Sequence, residues 1–528
     1  MSDVVDPPAP AARRPVARSR RRGVLFRVLA IALGLAPFLV CEAALRVLGI
    51  GEPDPRDDPF VGFAAIRPLF ELDPSGTRYE TSPARRLYFR PQSFPAVKAP
   101  NAFRIFCLGG STVQGRPYAV ETSFTTWLAL SLKAADLARD WQVVNCGGIS
   151  YASYRLVPIL EEVLRYQPDL IILYTGHNEF LEDRTYSHFK RLPGAVRWAV
   201  GAASDSRTFR VLRSGAERLG WVGRPSRQIN QDRPILRAEV DALLDYRGGL
   251  EWYHRDDRWR QGVIDHYELN LRRMIALCRR AGVPVMLANP VVNLETPPFK
   301  SEHRPGLTSE ELARFNALWE AARARYSKSL PAAVALLRQA LAIDDQHAGL
   351  WYTFGRCAQE LGQLDEARDA LERARDLDIC PLRTLGPMNR IVLNVARDTG
   401  TPLVDIVRLF ADRSEGGITG DDWLVDHVHP SIPGHQLIAE AMYRVMVRQG
   451  WAPPPGPSWA AERDRLYAAH LASLDTLYYL KGQQRLRNLE NWARGRSPRL
   501  RSQGPIAEDP LEDWTRRANR PPSRRPPP

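Results

Sequence analysis

The sequence predicts an α/β fold, a parallel sheet covered by helices on both faces, and three features of the chain point to it. Short continuous apolar runs recur at 103–108, 141–145, 170–174, 283–288 and 402–407. Between them lie stretches with apolar residues at spacings of three and four, as in Tyr267–Ala281, where Leu271, Met274, Ile275 and Cys278 share a face. The blocks "LGGST", "NCGGIS" and "YTGHNE" follow three of the runs. Uninterrupted apolar strands suit a sheet buried on both sides, and amphipathic helices supply its cover. Ligands of such sheets sit beyond the carboxyl ends of the strands, where these blocks fall.

In chain order, residues 1–23 form a basic tail that includes Arg13, Arg14, Arg18, Arg20, Arg21 and Arg22. Residues 24–47 read as a transmembrane signal anchor. Between Arg27 and Arg46 only Glu42 is charged, an apolar span of about 18 residues or roughly 27 Å as a helix. Arginines at both ends can snorkel. The basic run ahead of the span places the N-terminus in the cytoplasm and the bulk of the chain outside it, periplasmic or extracellular. The competing reading is a cleaved signal peptide, because the Val28–Cys41 core is short. Against it, no A-x-A site follows and Val40 is too large for a lipid-attachment box. Residues 48–101, rich in proline and short turns, read as an extended linker.

The main domain begins at 102 and its first part runs to 300. Phe103–Leu108 reads as the first strand, with Ser111 just beyond Gly109-Gly110. Phe124–Leu137 reads as a helix, with Phe124, Trp127, Leu128, Leu132 and Ala135 roughly on one face. "WQVVN", "LIILY" and "VPVMLA" supply three more strands, and "PLVDIV" opens the last part of the domain, 386–455.

Residues 301–385 break the alternation. Trp351, Phe354, Gly355, Ala358, Ala367, Leu371 and Ala374 stand at the spacing of a tetratricopeptide helix pair, and Ala333, Leu337 and Ala340 repeat the second helix 34 residues upstream. One clear repeat and one degenerate one are fewer than such arrays need to stand alone, so this all-α insertion is expected to lean on the main domain and to offer a surface to a protein partner. The competing reading is an ordinary helical hairpin. A C-terminal helical segment, 456–493, includes Tyr467–Leu486 with Leu471, Leu474, Leu477 and Tyr478 on one face, and the Arg/Pro-rich 494–528 is expected to be disordered.

The net charge of +13 lies largely at the two ends of the chain. A near-balanced middle argues against a nucleic-acid surface. The six cysteines (41, 107, 146, 278, 357, 380) form no C-x-x-C pair. Cys107 and Cys146 read as small buried apolar residues, and whether Cys357 and Cys380 meet is left open. Asp421-Asp422, Asp256-Asp257 and the scattered His–Glu pairs lack metal-ligand spacing, so neither metal nor other cofactor is expected.

A serine hydroxyl is a useful nucleophile only when a base takes its proton and the resulting oxyanion is held. Four blocks supply these parts. Ser111 follows the first strand, "NCGGISYASY" offers backbone N–H groups in a glycine-rich turn, and "YTGHNE" offers the amide of Asn178. In "VDHVHPSIPGH", Asp426 stands three residues before His429. At that spacing a carboxylate can accept from Nδ1 and leave Nε2 to face the serine. Pro430 biases His429 towards an extended backbone. Ser111 lacks the G-x-S-x-G elbow, since Val113 stands where its second glycine would be. The order of the four blocks carries the weight.

In these residues the chain resembles the SGNH (GDSL-like) hydrolase family, over roughly 103–180, 267–293 and 402–451. The resemblance implies a flavodoxin-like three-layer parallel sheet. It implies Ser111 as nucleophile, with "GGST" for Gly-Asp-Ser, and Asn178 as oxyanion donor, with "GHNE" for Gly-x-Asn-Asp. It implies Asp426 as orienting acid and His429 as general base. Counting from Asn145, the family's oxyanion glycine falls on Ser150, which keeps the N–H, and Gly148 would serve if the turn is one residue looser. His177 reads as a pocket wall and His427 as structural. The activity implied is that of a membrane-anchored serine esterase, by analogy acting on acetyl esters of envelope carbohydrate. The alternatives are an O-acyltransferase using the same site, or a catalytically silent scaffold binding partners through its helical insertion.

Overall fold

The computed structural model describes residues 33–34, 36–45, 58, 60–182, 208, 211, 235–245 and 248–494. The chain divides into one unit of Met1–Asp57 with Arg191–Asp232 and a second of Asp58–Lys190 with Arg233–Pro528. In the first unit the Glu42 carboxylate accepts from the backbone N–H and the hydroxyl of Thr208. Among the described residues no helix is long and apolar enough to cross a membrane. Much of the predicted anchor at 24–47 lies outside the described residues, as do the basic tail and residues 495–528. Everything that follows belongs to the second unit.

Within the segment expected to be an extended linker, strands β1 (Phe70–Leu72), β2 (Arg78–Thr81) and β3 (Ser93–Pro95) pair antiparallel. Proline and turn residues suggested open chain, but Phe70 and Phe94 are buried against Phe106 of the main sheet. Burying such rings is worth about 1.5–3 kcal/mol each, which fixes the segment onto the domain.

The main sheet consists of β4 (Ala102–Gly109), β5 (Asp140–Gly147), β6 (Leu170–Tyr174), β7 (Val285–Ala288) and β8 (Leu403–Val404). All pairs are parallel and the order is β8-β7-β6-β4-β5. Along β4, Ile105 and Cys107 enter one core while Phe106 and Leu108 enter the other. Burial on both faces is why these strands read as unbroken apolar runs. After β4 the chain crosses to β5 on one side and then to β6 on the other. Such a reversal leaves a crevice beyond the ends of β4 and β6.

A single turn, α1 (Ser111–Gln114), follows β4 directly. Then come α2 (Phe124–Ala135), α3 (Ser153–Val163) and α4 (Asp257–Arg280). The insertion between β7 and β8 is four helices: α5 (Ser309–Tyr326), α6 (Leu330–Ile343), α7 (Ala348–Glu360) and α8 (Leu364–Leu377). Gly355 of α7 lies where a Cβ would stand 2.9 Å from Leu371 of α8, so the small residue sets the close approach of the pair. The insertion leans on the domain through Ala358, Ala367 and Leu371, which pack on Val292, Leu294 and Ile418.

Helix α9 (Gly386–Thr399) leads into β8, and α10 (Ile406–Ala411) and α11 (Ile432–Arg448) follow it. Residues Leu156, Leu271 and Met388 of α3, α4 and α9 join one core; Trp127 and Met442 of α2 and α11 join the other. The single helix expected over Tyr467–Leu486 is two, α12 (Trp459–Ala472) and α13 (Thr476–Ala493). The break comes where the Asp475 side chain accepts from the Tyr478 N–H and starts a new helix. The described cysteines are free: Cys357 and Cys380 are both buried and unbridged, and Cys107 and Cys146 are buried in the sheet.

Candidate active site

Strand β4 ends on Gly109, and Gly110 turns the chain so that Ser111 becomes the first residue of α1. Its Oγ lies 2.7 Å from His429 Nε2. On the other side of that ring, Nδ1 lies 2.6 Å from Asp426 Oδ2. A carboxylate only accepts, so Nδ1 carries the proton and Nε2 is the acceptor for the Ser111 hydroxyl. The second oxygen of Asp426, Oδ1, accepts from the N–H groups of Val428 and His429, each at 2.8 Å. Burial alone would raise the Asp426 carboxyl. The His429 charge and hydrogen bond, then His427 and the Val428 N–H, hold it well below the usual carboxylate range. It is therefore an anion at neutral pH, able to orient His429 and to stabilise an imidazolium.

Ser150 follows β5 with φ of 62°, a left-handed backbone conformation. Its neighbours' N–H groups are engaged: Gly148 donates to the Gly109 carbonyl at 2.9 Å and Ile149 to that of Tyr88 at 2.9 Å. Gly148 is thus not an available donor. The looser turn is ruled out because β5 keeps its pairing with β4 for one residue more than its last strand position.

Asn178, after β6, donates from Nδ2 to the Tyr151 carbonyl at 3.0 Å, which leaves its second amide hydrogen over. That side chain occupies the space a Gly110 side chain would need, since a Cβ there would be 2.5 Å from Nδ2. Buried Glu179 fixes the same loop to the Ser150 turn, accepting from the Ser153 N–H at 2.7 Å and its hydroxyl at 3.0 Å. Buried Asn145 holds α1 from beneath, donating to the Val113 carbonyl at 2.6 Å. Ser111, Asp426 and His429 are thus joined directly, and Asn178 and Ser150 flank the serine through Gly110 and Tyr151.

Three further histidines stand nearby, all neutral. Burial, helped by His429 and His427, pulls His177 down to about 3. Its Nδ1 accepts from Thr384. Burial also brings His427 down to about 4 despite Asp426, whose Oδ1 at 3.7 Å is beyond hydrogen-bond reach. His435 is brought to about 3, by burial and then His429, and its Nδ1 accepts from the Phe124 N–H at 3.2 Å. Of these four histidines, only His429 joins a hydroxyl to a carboxylate. Sequence reading named Gly110 only as the turn before Ser111 and gave Tyr151 and Glu179 no role; the Glu beside Asn178 was visible, but its target, Ser153, is set by how two loops meet. Among the described residues no group of three or more His, Cys, Asp or Glu side chains could hold a metal ion.

A family model for the tetratricopeptide repeat matches residues 324–378. That part of the insertion is a tetratricopeptide repeat. No curated protein matches the chain. Among solved structures, the chain is similar to a putative lipolytic protein of the G-D-S-L family from Desulfitobacterium hafniense, at 10% identity and TM-score 0.28 over 65% of this chain and 98% of that one. It is similar to an acetylxylan esterase from Geobacillus stearothermophilus at 13% identity and TM-score 0.30, over 66% and 96% of the two chains. A lipase/acylhydrolase from Enterococcus faecalis aligns at 12% identity and TM-score 0.30, over 67% and 99%.

Proposed function

We propose that the chain is a serine hydrolase of acyl esters, with Ser111 as nucleophile. The observation that carries the reading is the continuous hydrogen-bonded line from the Ser111 hydroxyl through His429 to the Asp426 carboxylate. Ser111 Oγ attacks the acyl carbonyl carbon as its proton passes to His429 Nε2. The oxyanion so formed is held by the N–H groups of Ser111 and Ser150 and by the free hydrogen of Asn178 Nδ2, each such donor being worth about 3 kcal/mol of barrier. Collapse breaks the ester C–O bond, and the proton on Nε2 leaves with the alcohol. Water, deprotonated by His429, then attacks the acyl-enzyme and restores the serine.

The charged start and apolar stretch at 24–47 support an anchored enzyme facing away from the cytoplasm. The tetratricopeptide segment supports a protein partner for the insertion. The test is hydrolysis of 4-nitrophenyl acetate by the full chain beside its Ser111→Ala form. Turnover by the first and none above background by the second is expected; equal rates would end the reading.

A further inference from the structure

Three arginines, Arg90, Arg116 and Arg485, crowd one side of the Ser111 turn, and among the described residues none of them has an ion pair. The Arg116 N–H donates to the Ser111 carbonyl at 3.1 Å, which places Arg116 one turn beyond the serine. The Nε atoms of Arg116 and Arg90 are buried, and among the described residues neither side chain has a hydrogen bond or ion pair. Arg485 reaches across from α13, where it donates to the Tyr118 carbonyl at 2.6 Å. Its approach depends on buried Gly482, since any side chain there would overlap the Tyr118 ring. Burial, then the charges of Arg90 and Arg485, push the Arg116 pKa down to about 9. Guanidinium groups do not give up their proton at neutral pH, so this crowding is relieved by an anion rather than by titration.

Arg90 and Arg485 line a cleft of about 560 Å³ together with Lys481, His470, Glu121 and Asp475. Asp475 is already committed, accepting from the Tyr478 N–H at 2.7 Å. Three cations of the lining, Arg90, Arg485 and Lys481, thus meet two carboxylates, and the Arg116 charge, outside the lining, adds to the repulsion on Arg90 and Arg485. The chain that leads into the cleft is tied to the Ser150 turn: the Tyr88 carbonyl, two residues before Arg90, accepts from Ile149 N–H and from Gln114 Nε2 of α1. We propose that this cleft binds an oxyanion group, carboxylate or phosphate, on the molecule whose ester reaches Ser111. The planar forks of the arginines match either group in a bidentate manner. The substrate class is then an acyl ester on an acidic carrier, a statement that rests on the hydrolase reading above.

The full chain is titrated calorimetrically with trigalacturonate, a carboxylate probe, and separately with inorganic phosphate, so that the two arms identify the oxyanion. At least one binds, and Arg90→Gln weakens it about tenfold, the loss of one charged contact. Because the Arg90 side chain has no hydrogen-bond or ion-pair partner among the described residues, the same substitution is expected to hold or raise Tm, which separates lost binding from misfolding. Arg116→Gln should behave likewise. No binding in either arm, or undiminished binding by both variants, overturns the site. The bound probe is also expected to raise KM for 4-nitrophenyl acetate, and an unchanged KM would detach the cleft from the substrate. Binding without any ester hydrolysis would sink the hydrolase reading and leave the anion site standing; hydrolysis without binding would do the reverse.

Discussion

Ser111 Oγ and His429 Nε2 lie 2.7 Å apart although 318 residues separate them in the chain. The meeting is arranged by the sheet: β4 delivers the serine at the point where strand order reverses, and the loop after β8 brings the histidine, with α11 packed behind it. If the pair acts as one relay, Ser111→Ala and His429→Ala each lower kcat/KM by about 10⁴-fold or more, and the double variant by no more than either. Steady-state rates on 4-nitrophenyl acetate measure this, and additive losses would show that the two act separately.

Gly110 is a glycine for space rather than for backbone freedom, since its φ of −86° is open to any residue. A methyl group there would meet the Asn178 amide. Gly110→Ala is therefore expected to lower kcat about 10²-fold, as loss of one oxyanion donor does, with KM little changed. Asn178→Ala should match it, and combining the two should add nothing. A Gly110→Ala enzyme with full kcat would remove Asn178 from the proposed oxyanion site.

The order of these blocks was legible because the first three stand at the ends of apolar runs, and burial on both faces makes such runs plain. The reserve donor was not: whether Gly148 is free depends on its pairing with Gly109 across the sheet, a register that no local pattern states. The strands within 58–101 were hidden for a similar reason, since Phe70 and Phe94 earn their burial from Phe106, which local composition does not show. The break before α13 carried a signal in Asp475, a residue suited to start a helix, that the leucine spacing outweighed. Arg90, Arg116 and Arg485 are too far apart in the chain to read as a cluster.

Ser150 offers a test of whether the turn supplies only its backbone. A left-handed φ of 62° strains a residue with a Cβ, and glycine adopts it freely. Ser150→Gly should leave kcat/KM within about threefold and raise stability by up to about 1 kcal/mol. Thermal melting and ester kinetics on one preparation read both. A hundredfold loss of activity in a fully folded variant would mean that the hydroxyl, and not the N–H, is what the site uses.

The buried histidines make stability depend on pH in a definite direction. Burial, as the first cause in each, holds His177 and His435 at about 3 and His347 and His427 at about 4, all from 6.5. Below pH 6.5 the unfolded chain takes up protons that the folded one refuses, so stability falls as the pH falls from there towards 4. Asp378 works against this, because burial raises it from 3.8 to about 6 and the folded form holds its proton first. Among these five described groups, four histidine protons stand against one carboxyl proton near pH 5, and each net proton tilts stability by about 1.4 kcal/mol per pH unit. His435→Asn keeps an acceptor for the Phe124 N–H and removes one titrating group. Denaturant melts at pH 7 and pH 5 should show the variant losing about 2 kcal/mol less than the parent over that interval. Parallel losses in the two proteins would mean that His435 is protonated in the folded state, and a charged ring beside His429 would then oppose the imidazolium that the proposed reaction must form.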